Sequence, residues 1–321
     1  MTRAPIAVVQ DDLAAHPAVQ AWDGDAPESV QILRDLRTAA VYRLIGAGPG
    51  GTGVIAKRSP RAAAAAELRV YEHILPHLPV SAPRYYGSRP GTDADVWLFL
   101  EDVGTQRYSD TDATHLALAA RWVAHMHGAA AAVAAARELP DGGPGRYLEH
   151  LRTARGAITD RCSGPNLSSD DLTALGATVK LLDVIESRWT DIERSCEGFP
   201  ETLVHGDFRP KNVYLRPLGS SLACYPIDWE TAGWGVPAAD LTRIDVMAYW
   251  MAARRQRPAL EFATVQRLLE VGRMFCNVAA IDWETVTLRS ESRQVVTRPL
   301  ASLRVLVARL TAAARATGAL P

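Results

Sequence analysis

Strand-forming runs dominate the first third of this 321-residue chain, and apolar residues at helical spacing dominate most of the remainder. Val41 to Leu44, Gly53 to Lys57 and Val96 to Leu100 are short, rich in β-branched or aromatic residues and flanked by turn-forming residues, so they predict strands. Ala62 to Leu75, after the second of these, predicts a helix. Asp112 is placed to cap a long helix running through Gly128, with Leu116, Ala119, Val123 and Met126 on one face. Asp141 to Gly145 reads as a loop. Beyond Arg146 the pattern is mostly helical, interrupted by two strands, Val213 to Arg216 and Leu222 to Ile227, joined by a turn at 217–221. Val265 to Leu288 again carries apolar residues at helical spacing, and no internal repeat is visible. The expectation is an α+β chain, with a small β-rich N-terminal part and a larger, mainly helical C-terminal part.

Length makes this a two-lobed expectation, because 321 residues exceed a comfortable single core. A hydrophobic fraction of 48% and a net charge of −1 describe an ordinary soluble globule without the basic field that nucleic acid requires. Cys162, Cys196, Cys224 and Cys276 have neither disulfide-framework nor zinc spacing, which suits a reducing cytoplasm. Met1 to Gln10 lacks the apolar core of a secretory signal. The longest apolar run, Ala129 to Ala136, is too short to cross a bilayer, so no membrane partner is expected.

The densest chemistry flanks the two-strand hairpin. His205-Gly206-Asp207-Phe208-Arg209-Pro210-Lys211-Asn212 precedes it and Asp228 comes after it. Phosphoryl transfer needs one carboxylate to take a proton from the attacking hydroxyl and two oxygen ligands to hold a divalent cation on nucleotide phosphates. Opposed residues on paired strands lie about 5 Å apart at Cβ, so Asn212 and Asp228, at the open end of the hairpin, are placed to share one ion. Magnesium takes few oxygen ligands from protein and the rest from phosphate and water. Asp207 stands one short loop upstream as the proton acceptor. Turn capping explains an Asp or an Asn alone, but not the whole constellation.

Lysine usage sharpens this picture. Only Lys57, Lys180 and Lys211 stand against 32 arginines, which suggests lysine is kept where a compact point charge is needed. In kinases a strand lysine binds the nucleotide α/β-phosphates and is held by a glutamate on the next helix. Lys57 sits on such a strand. Glu67, with Tyr71 four residues later, is the first partner candidate and Glu72 the second; the alternative is an edge-strand solubilising lysine beside an exposed helix charge. Gly46-Ala47-Gly48-Pro49-Gly50-Gly51 matches a dinucleotide-binding fingerprint, but a β-like run and Pro60 come next where a helix is required. The cluster therefore reads as a turn. If the chain resembles a kinase, as the motifs below imply, the phosphate-covering slot falls one hairpin earlier, at Leu36-Arg37-Thr38-Ala39-Ala40, with Thr38 as a phosphate-contact candidate.

These motifs resemble the aminoglycoside phosphotransferase and choline kinase-like family of small-molecule kinases, whose cores share the protein-kinase fold. The catalytic loop His-Gly-Asp-x-x-x-x-Asn corresponds to residues 205–212 and the metal-binding segment to Ile227-Asp228-Trp229-Glu230, with Gly233 to Leu241 also similar. The resemblance spans about residues 30 to 245. Residues 1–28 read as an acidic leader ahead of it. The resemblance implies a bilobal enzyme, with a nucleotide-binding N-lobe over 29–103, a hinge near 100–104 and a catalytic, acceptor-binding helical C-lobe over 104–321. It further implies ATP and Mg2+ as cofactors and a small-molecule hydroxyl as acceptor. At the lobe crossover the family binds adenine through backbone groups, which makes Leu100, Glu101 and Val103 base-contact candidates. Arg209 departs from the histidine common two positions after the catalytic Asp; it is either a cation for the transferring phosphoryl group or a surface arginine tied to a carboxylate. His205 and Asp240 are assigned to scaffolding of the catalytic loop.

Two repeats of chemistry elsewhere read differently. Histidines two apart on a helix face different ways, so His125 and His127 are not expected to share a metal. Ile281 to Thr285 duplicates Ile227 to Thr231, but on a helical run; either this is coincidence or Asp282 or Glu284 faces the acceptor. Residues 241–321 hold twelve arginines against six acids, which leans toward a neutral or anionic acceptor such as a sugar, metabolite or natural product, and away from a polycationic aminoglycoside. A catalytically silent nucleotide-binding module is the rival class. Retention of Lys57, Asp207, Asn212 and Asp228 argues against it.

Overall fold

A computed structural model describes residues 6–7, 13–36, 38–92, 94–219 and 221–320. They divide into two compact units: Met1–Ser109 with Arg209–Thr231, and Asp110–Phe208 with Ala232–Pro321.

The first unit is built on a six-stranded antiparallel sheet of order β1-β2-β3-β4-β6-β5. Its strands are β1 Ile6–Ala7, β2 Ser29–Leu36, β3 Ala39–Gly48, β4 Thr52–Pro60, β5 Tyr85–Pro90 and β6 Asp95–Glu101. Side chains alternate across a strand, so Ala40, Tyr42 and Leu44 of β3 and Val54 and Ala56 of β4 pack on one face with Val30, Trp97 and Phe99. Ala18 of the short helix α1, Pro17–Gln20, closes that cluster. The same alternation delivers Lys57 to the opposite face, toward α2, Arg61–Arg69. Helix α2 buries Ala64 and Glu67, and a wider turn over Val70–Ile74 continues the apolar stripe with Val70, Tyr71 and Ile74 until Pro76, which has no N–H to offer, ends the run. The predicted helix 62–75 is thus present as one α segment and a terminal widening.

The glycine cluster is the turn between β3 and β4. Gly50 and Gly51 hold φ of 69° and 77°, a region that favours glycine, and a strand rather than a helix comes next. The slot at Leu36 to Ala40 is the β2–β3 turn, where Thr38 is exposed; Arg37 lies outside the described residues. The hairpin is formed by β8, Val213–Leu218, and β9, Ser221–Pro226, in register from Val213 opposite Pro226; Ser220 in its turn lies outside the described residues. It joins the N-terminal residues through Tyr108 N–H to Val213 O at 3.1 Å and Leu215 N–H to Gln106 O at 2.9 Å.

The second unit is mainly helical: α3 Ala113–Ala130, α4 Pro144–Cys162, α5 Ser169–Ser187, α6 Trp189–Cys196, α7 Val246–Ala253, α8 Phe262–Leu288 and α9 Arg293–Ala316. A two-stranded ribbon pairs β7, Thr202–Val204, with β10, Gly233–Gly235. Asp112 caps α3 as expected, accepting the Thr114 and His115 N–H groups at 2.8 and 3.1 Å. Helix α8 packs along α4 and α9, and α3 along α7. Ile281 to Thr285 lies within α8, with Ile281 and Thr285 buried, so the second copy of that pentapeptide has a helical environment unlike the first. No described helix is long and apolar enough to cross a membrane.

One buried carboxylate ties α5 to α9. Ser168 and Asp171 form a capping box at the start of α5. Asp171 also accepts from Arg304 Nη2 at 3.0 Å and from Arg293. The Ser168 hydroxyl, then the Arg293 guanidinium, hold the Asp171 carboxyl down to about 2. Because this folded value lies below the unfolded value of about 3.9, the stabilisation is complete above about pH 4 and is lost as pH falls toward 2. Asp171→Ala should lower stability by about 1–3 kcal/mol in urea at pH 7. The gap from wild type should narrow steadily through that acid window; a pH-independent gap would assign the effect to packing alone.

Candidate active site

Helix α2 begins directly after β4, so a residue near its middle faces the strand residue just before it. Glu67 meets Lys57 in this way, with Nζ 2.7 Å from Oε2 and the glutamate 1% exposed. The segment after β9 brings two more acids to the same ammonium: Asp228 at 2.7 Å and Glu230 at 2.9 Å. Glu72, the other partner candidate, instead accepts from Tyr85 and Ser88. Burial alone would lower the Lys57 amine, but Glu67, Asp228 and Glu230 together hold it well above its ordinary value. Burial pushes the Glu67 carboxyl up, Lys57 opposes that, and the two neighbouring carboxylates add to the upward push. Three carboxylates thus share one ammonium, a local excess of negative charge.

Asp228 holds a left-handed φ of 68°. That region costs an L-residue roughly 1–2 kcal/mol, although Asp and Asn tolerate it best. Asn212 stands across the open end of the hairpin: it is buried, and its carbonyl accepts the Ile227 N–H at 2.8 Å. Carboxylate oxygens of Glu67, Asp228 and Glu230 lie within 4.8 Å of one another. Oxygen donors of this kind suit a hard divalent cation, and the surplus of carboxylates over ammonium supplies the charge such an ion neutralises. The structure therefore brings together Lys57, Glu67, Asp228 and, at the adjoining strand end, Asn212. Glu230, the last residue of the metal-binding segment that the resemblance implies, joins them; its contact with Lys57 was not among the expectations.

At the end of β6 some backbone groups are already engaged. Glu101 N–H donates to Arg84 O at 2.8 Å and Asp102 N–H to Gly53 O at 3.2 Å, while Leu100 is held in register by both neighbouring strands. The Glu101 carboxylate accepts from Arg84 N–H at 3.1 Å and from Arg216. Val103 packs on Ala223 and Tyr225, and no hydrogen bond of its main chain occurs among the described residues.

In the second unit, β7 leads into the loop that carries Asp207. Asp240 organises this loop from 33 residues further on: its two oxygens accept the His205 N–H at 2.8 Å and the Gly206 N–H at 2.9 Å. The buried ring of His127 lies 3.3 Å from Asp240 through Nε2 and 3.0 Å from the Tyr249 hydroxyl through Nδ1. A carboxylate can only accept, so Nε2 carries the proton and Nδ1 accepts from Tyr249. Burial lowers the His127 pKa, and Asp240 opposes it; burial would raise Asp240, but the His127 bond and the loop N–H groups keep it below its ordinary value. His125 points to solvent and His127 inward, so the pair shares no ligand role. Phe208, buried, stacks on Trp122 with ring centroids 6.1 Å apart. Asp207 is half-buried, its N–H 3.4 Å from His205 Nδ1. Where the chain returns to the first unit, Arg209, also half-buried, has an extended backbone whose carbonyl accepts the Asn212 N–H at 2.8 Å. His127 and Tyr249 were missed as loop supports because their partner lies more than a hundred residues from His127 in sequence.

The model of the phosphotransferase enzyme family matches residues 29–275. No curated protein matches the chain in sequence. Among solved structures, a microcompartment-associated aminopropanol kinase is 14% identical with a TM-score of 0.64, covering 97% of this chain and 99% of its own. The GDP complex of aminoglycoside 2'-phosphotransferase-IIIa is 15% identical with a TM-score of 0.59, covering 88% and 93%. Choline kinase from Cryptosporidium parvum is 12% identical with a TM-score of 0.61, covering 91% of each chain. At these identities the likeness establishes the kinase-like fold.

Removing one carboxylate from the overcharged cluster should not destabilise it. Asp228→Asn keeps the left-handed backbone and relieves repulsion on Glu67. Its melting temperature should stay within about 2 °C of wild type or rise, given that 1 kcal/mol shifts a unit of this size by about 2–4 °C. A fall of more than about 5 °C in a thermal unfolding scan would make Asp228 a structural group.

Proposed function

This chain belongs to the phosphotransferase enzyme family, and we propose that it moves the γ-phosphoryl group of ATP to a hydroxyl of a small molecule. The observation that carries this reading is the Lys57 ammonium at 2.7 Å from both the buried Glu67 and Asp228, a strand–helix–hairpin arrangement that serves triphosphate binding. Lys57, oriented by Glu67, takes the α/β-phosphates. Asn212 and Asp228 would hold Mg2+, with Glu230 beside them; the ion supplies charge neutralisation to the phosphates when bound. Thr38 in the β2–β3 turn covers the phosphates. Leu100, Glu101 and Val103 meet the base, Val103 being the residue whose backbone groups have no partner among the described residues.

Asp207 accepts the proton of the acceptor hydroxyl as its oxygen bonds to the γ-phosphorus and the bond from that phosphorus to the β–γ bridging oxygen breaks, releasing ADP. Arg209 neutralises charge on the equatorial oxygens. The His205–Asp240–His127 scaffold fixes the loop so that little reorganisation accompanies transfer. The reducing cytoplasm is the setting in which such a donor is available. The arginine excess over residues 241–321 favours a neutral or anionic hydroxylated acceptor over a polycation. The structural neighbours include an aminopropanol kinase and a GDP complex, so amino alcohols and GTP belong in the test.

A coupled assay of ADP or GDP release, with magnesium, over sugars, amino alcohols, aminoglycosides and other hydroxylated natural products tests the reading. Turnover with at least one acceptor is expected; nucleotide binding with no transfer to any would replace the enzyme with a silent binding module. Asp207→Ala should lower kcat by about 10²–10⁴-fold, and near-full activity would remove Asp207 from the role. The Lys57 amine is raised when folded, so its ion pairs are complete below about pH 10.5 and lost only above. The pH–rate profile should accordingly show no alkaline limb from this lysine below pH 10. A limb near pH 8–9 that disappears in Lys57→Arg would contradict that assignment.

A further inference from the structure

The C-terminal ends of α4 and α8 border an open cleft of about 430 Å³, lined in part by Arg152, Asp160, Arg161, Gly164, Arg289 and Glu291. Its volume is within the range of small-molecule sites. Arg161 is the unusual member. The residue is only 7% exposed, and its Nη1 donates to Pro165 O at 2.9 Å. Its Nε and Nη2 atoms are shut off from solvent and have no hydrogen-bond partner. Those two N–H groups share one edge of the guanidinium plane, the edge that takes a carboxylate or phosphate through two parallel bonds.

A cation at the last turn of a helix is ordinarily explained by the negative end of the helix dipole, and Arg161 and Arg289 both stand at such ends. That account covers Nη1, which bonds the chain just beyond α4. It leaves the Nε–Nη2 fork unexplained, since buried donors without partners carry a penalty comparable to a lost hydrogen bond. Other charges around the cavity have their own arrangements: Arg152 Nε is 2.6 Å from Glu186, whereas Arg289 is exposed at the rim.

We propose that this cavity binds a small organic oxyanion, its carboxylate or phosphate seated on the Arg161 fork and flanked by Arg289, with Asp160 and Glu291 limiting the charge accepted. Seating the anion requires Arg161 to turn this fork toward the cavity through its side-chain torsions and to give up its Nη1 bond to Pro165 O. The site is remote from the loop-bearing ribbon: α4 starts just after the Gly142 N–H to Trp234 O bond of 2.8 Å, and Arg161 lies 17 residues along the helix from Pro144, about 25 Å away. It is therefore a second ligand site in the helical unit, and its occupancy does not depend on the proposed transfer reaction.

Binding to the full chain tests it without reference to turnover. Inorganic phosphate and malonate are titrated against chloride at matched ionic strength, with melting temperature and heat of binding as readouts. Wild type and Lys57→Met should both bind one of the two anions, with a rise of a few degrees in melting temperature. Arg161→Met and Arg161→Lys, which lack the fork, should lose at least tenfold in affinity, and Arg289→Gln should lose less. Phosphate alone assigns a phosphate monoester class, and malonate alone a carboxylate class. In chloride, Arg161→Met should melt within a few degrees of wild type, since removing two unpaired donors offsets the loss of the Nη1 bond to Pro165 O. Binding that survives in both Arg161 variants but fails in Lys57→Met would overturn the proposal. So would a cavity that takes neither anion, with water as the only occupant of the fork.

Discussion

The ammonium of Lys57 has three N–H bonds, and three carboxylates from two separate segments of the first unit converge on them at 2.7–2.9 Å. Much of that unit's local geometry stems from this convergence. Strand alternation places Lys57 away from the apolar face, α2 must start at once to bring Glu67 over it, and the hairpin must end where Asp228 and Glu230 can reach the same point. A guanidinium would match the three carboxylates less closely, because its planar fork presents donors in fixed directions. Choice of lysine in an otherwise arginine-rich chain therefore has a geometric reason. The arrangement is also unfinished electrostatically: one positive charge faces three negative ones, which is the condition under which a divalent cation on a polyphosphate is welcome.

The second unit solves the converse problem. There a single buried carboxylate, Asp240, gathers two loop N–H groups and a histidine N–H. A buried carboxylate is tolerated only when hydrogen-bonded on both oxygens, and satisfying it fixes the backbone at His205 and Gly206, immediately before Asp207. Tyr249 completes the chain by giving His127 a donor for its other nitrogen. Loop position is thus set by polar satisfaction from behind, while Phe208 and Trp122 set it by ring packing.

Local relationships were readable from the sequence and long-range ones were not. The strand at Lys57, the helix at Glu67, the capped helix after Asp112 and the hairpin between Asn212 and Asp228 each arise from periodicity and turn chemistry over fewer than 25 residues. The wrong fit of the glycine cluster to a nucleotide fingerprint was also decidable locally, from the strand that succeeds it. By contrast, nothing near His127 announces Asp240, and the Ile227–Glu230 segment gives no sign that the turn after β9 folds Glu230 onto Lys57. That the hairpin joins the N-terminal residues depends on backbone bonds from Gln106 and Tyr108, which no side-chain pattern encodes. The unpartnered fork of Arg161 is likewise invisible in a chain with so many arginines.

The lysine scarcity has a practical corollary for labelling. Only a neutral amine attacks an acylating reagent, and the Lys57 amine is both buried and held in its charged form. Lys180 and Lys211 are exposed. Among the lysines, fluorophores or cross-linkers directed at amines will therefore report on the α5 surface and the Asp207–Asn212 loop while leaving the strand lysine untouched, giving two lysine handles without any engineered residue.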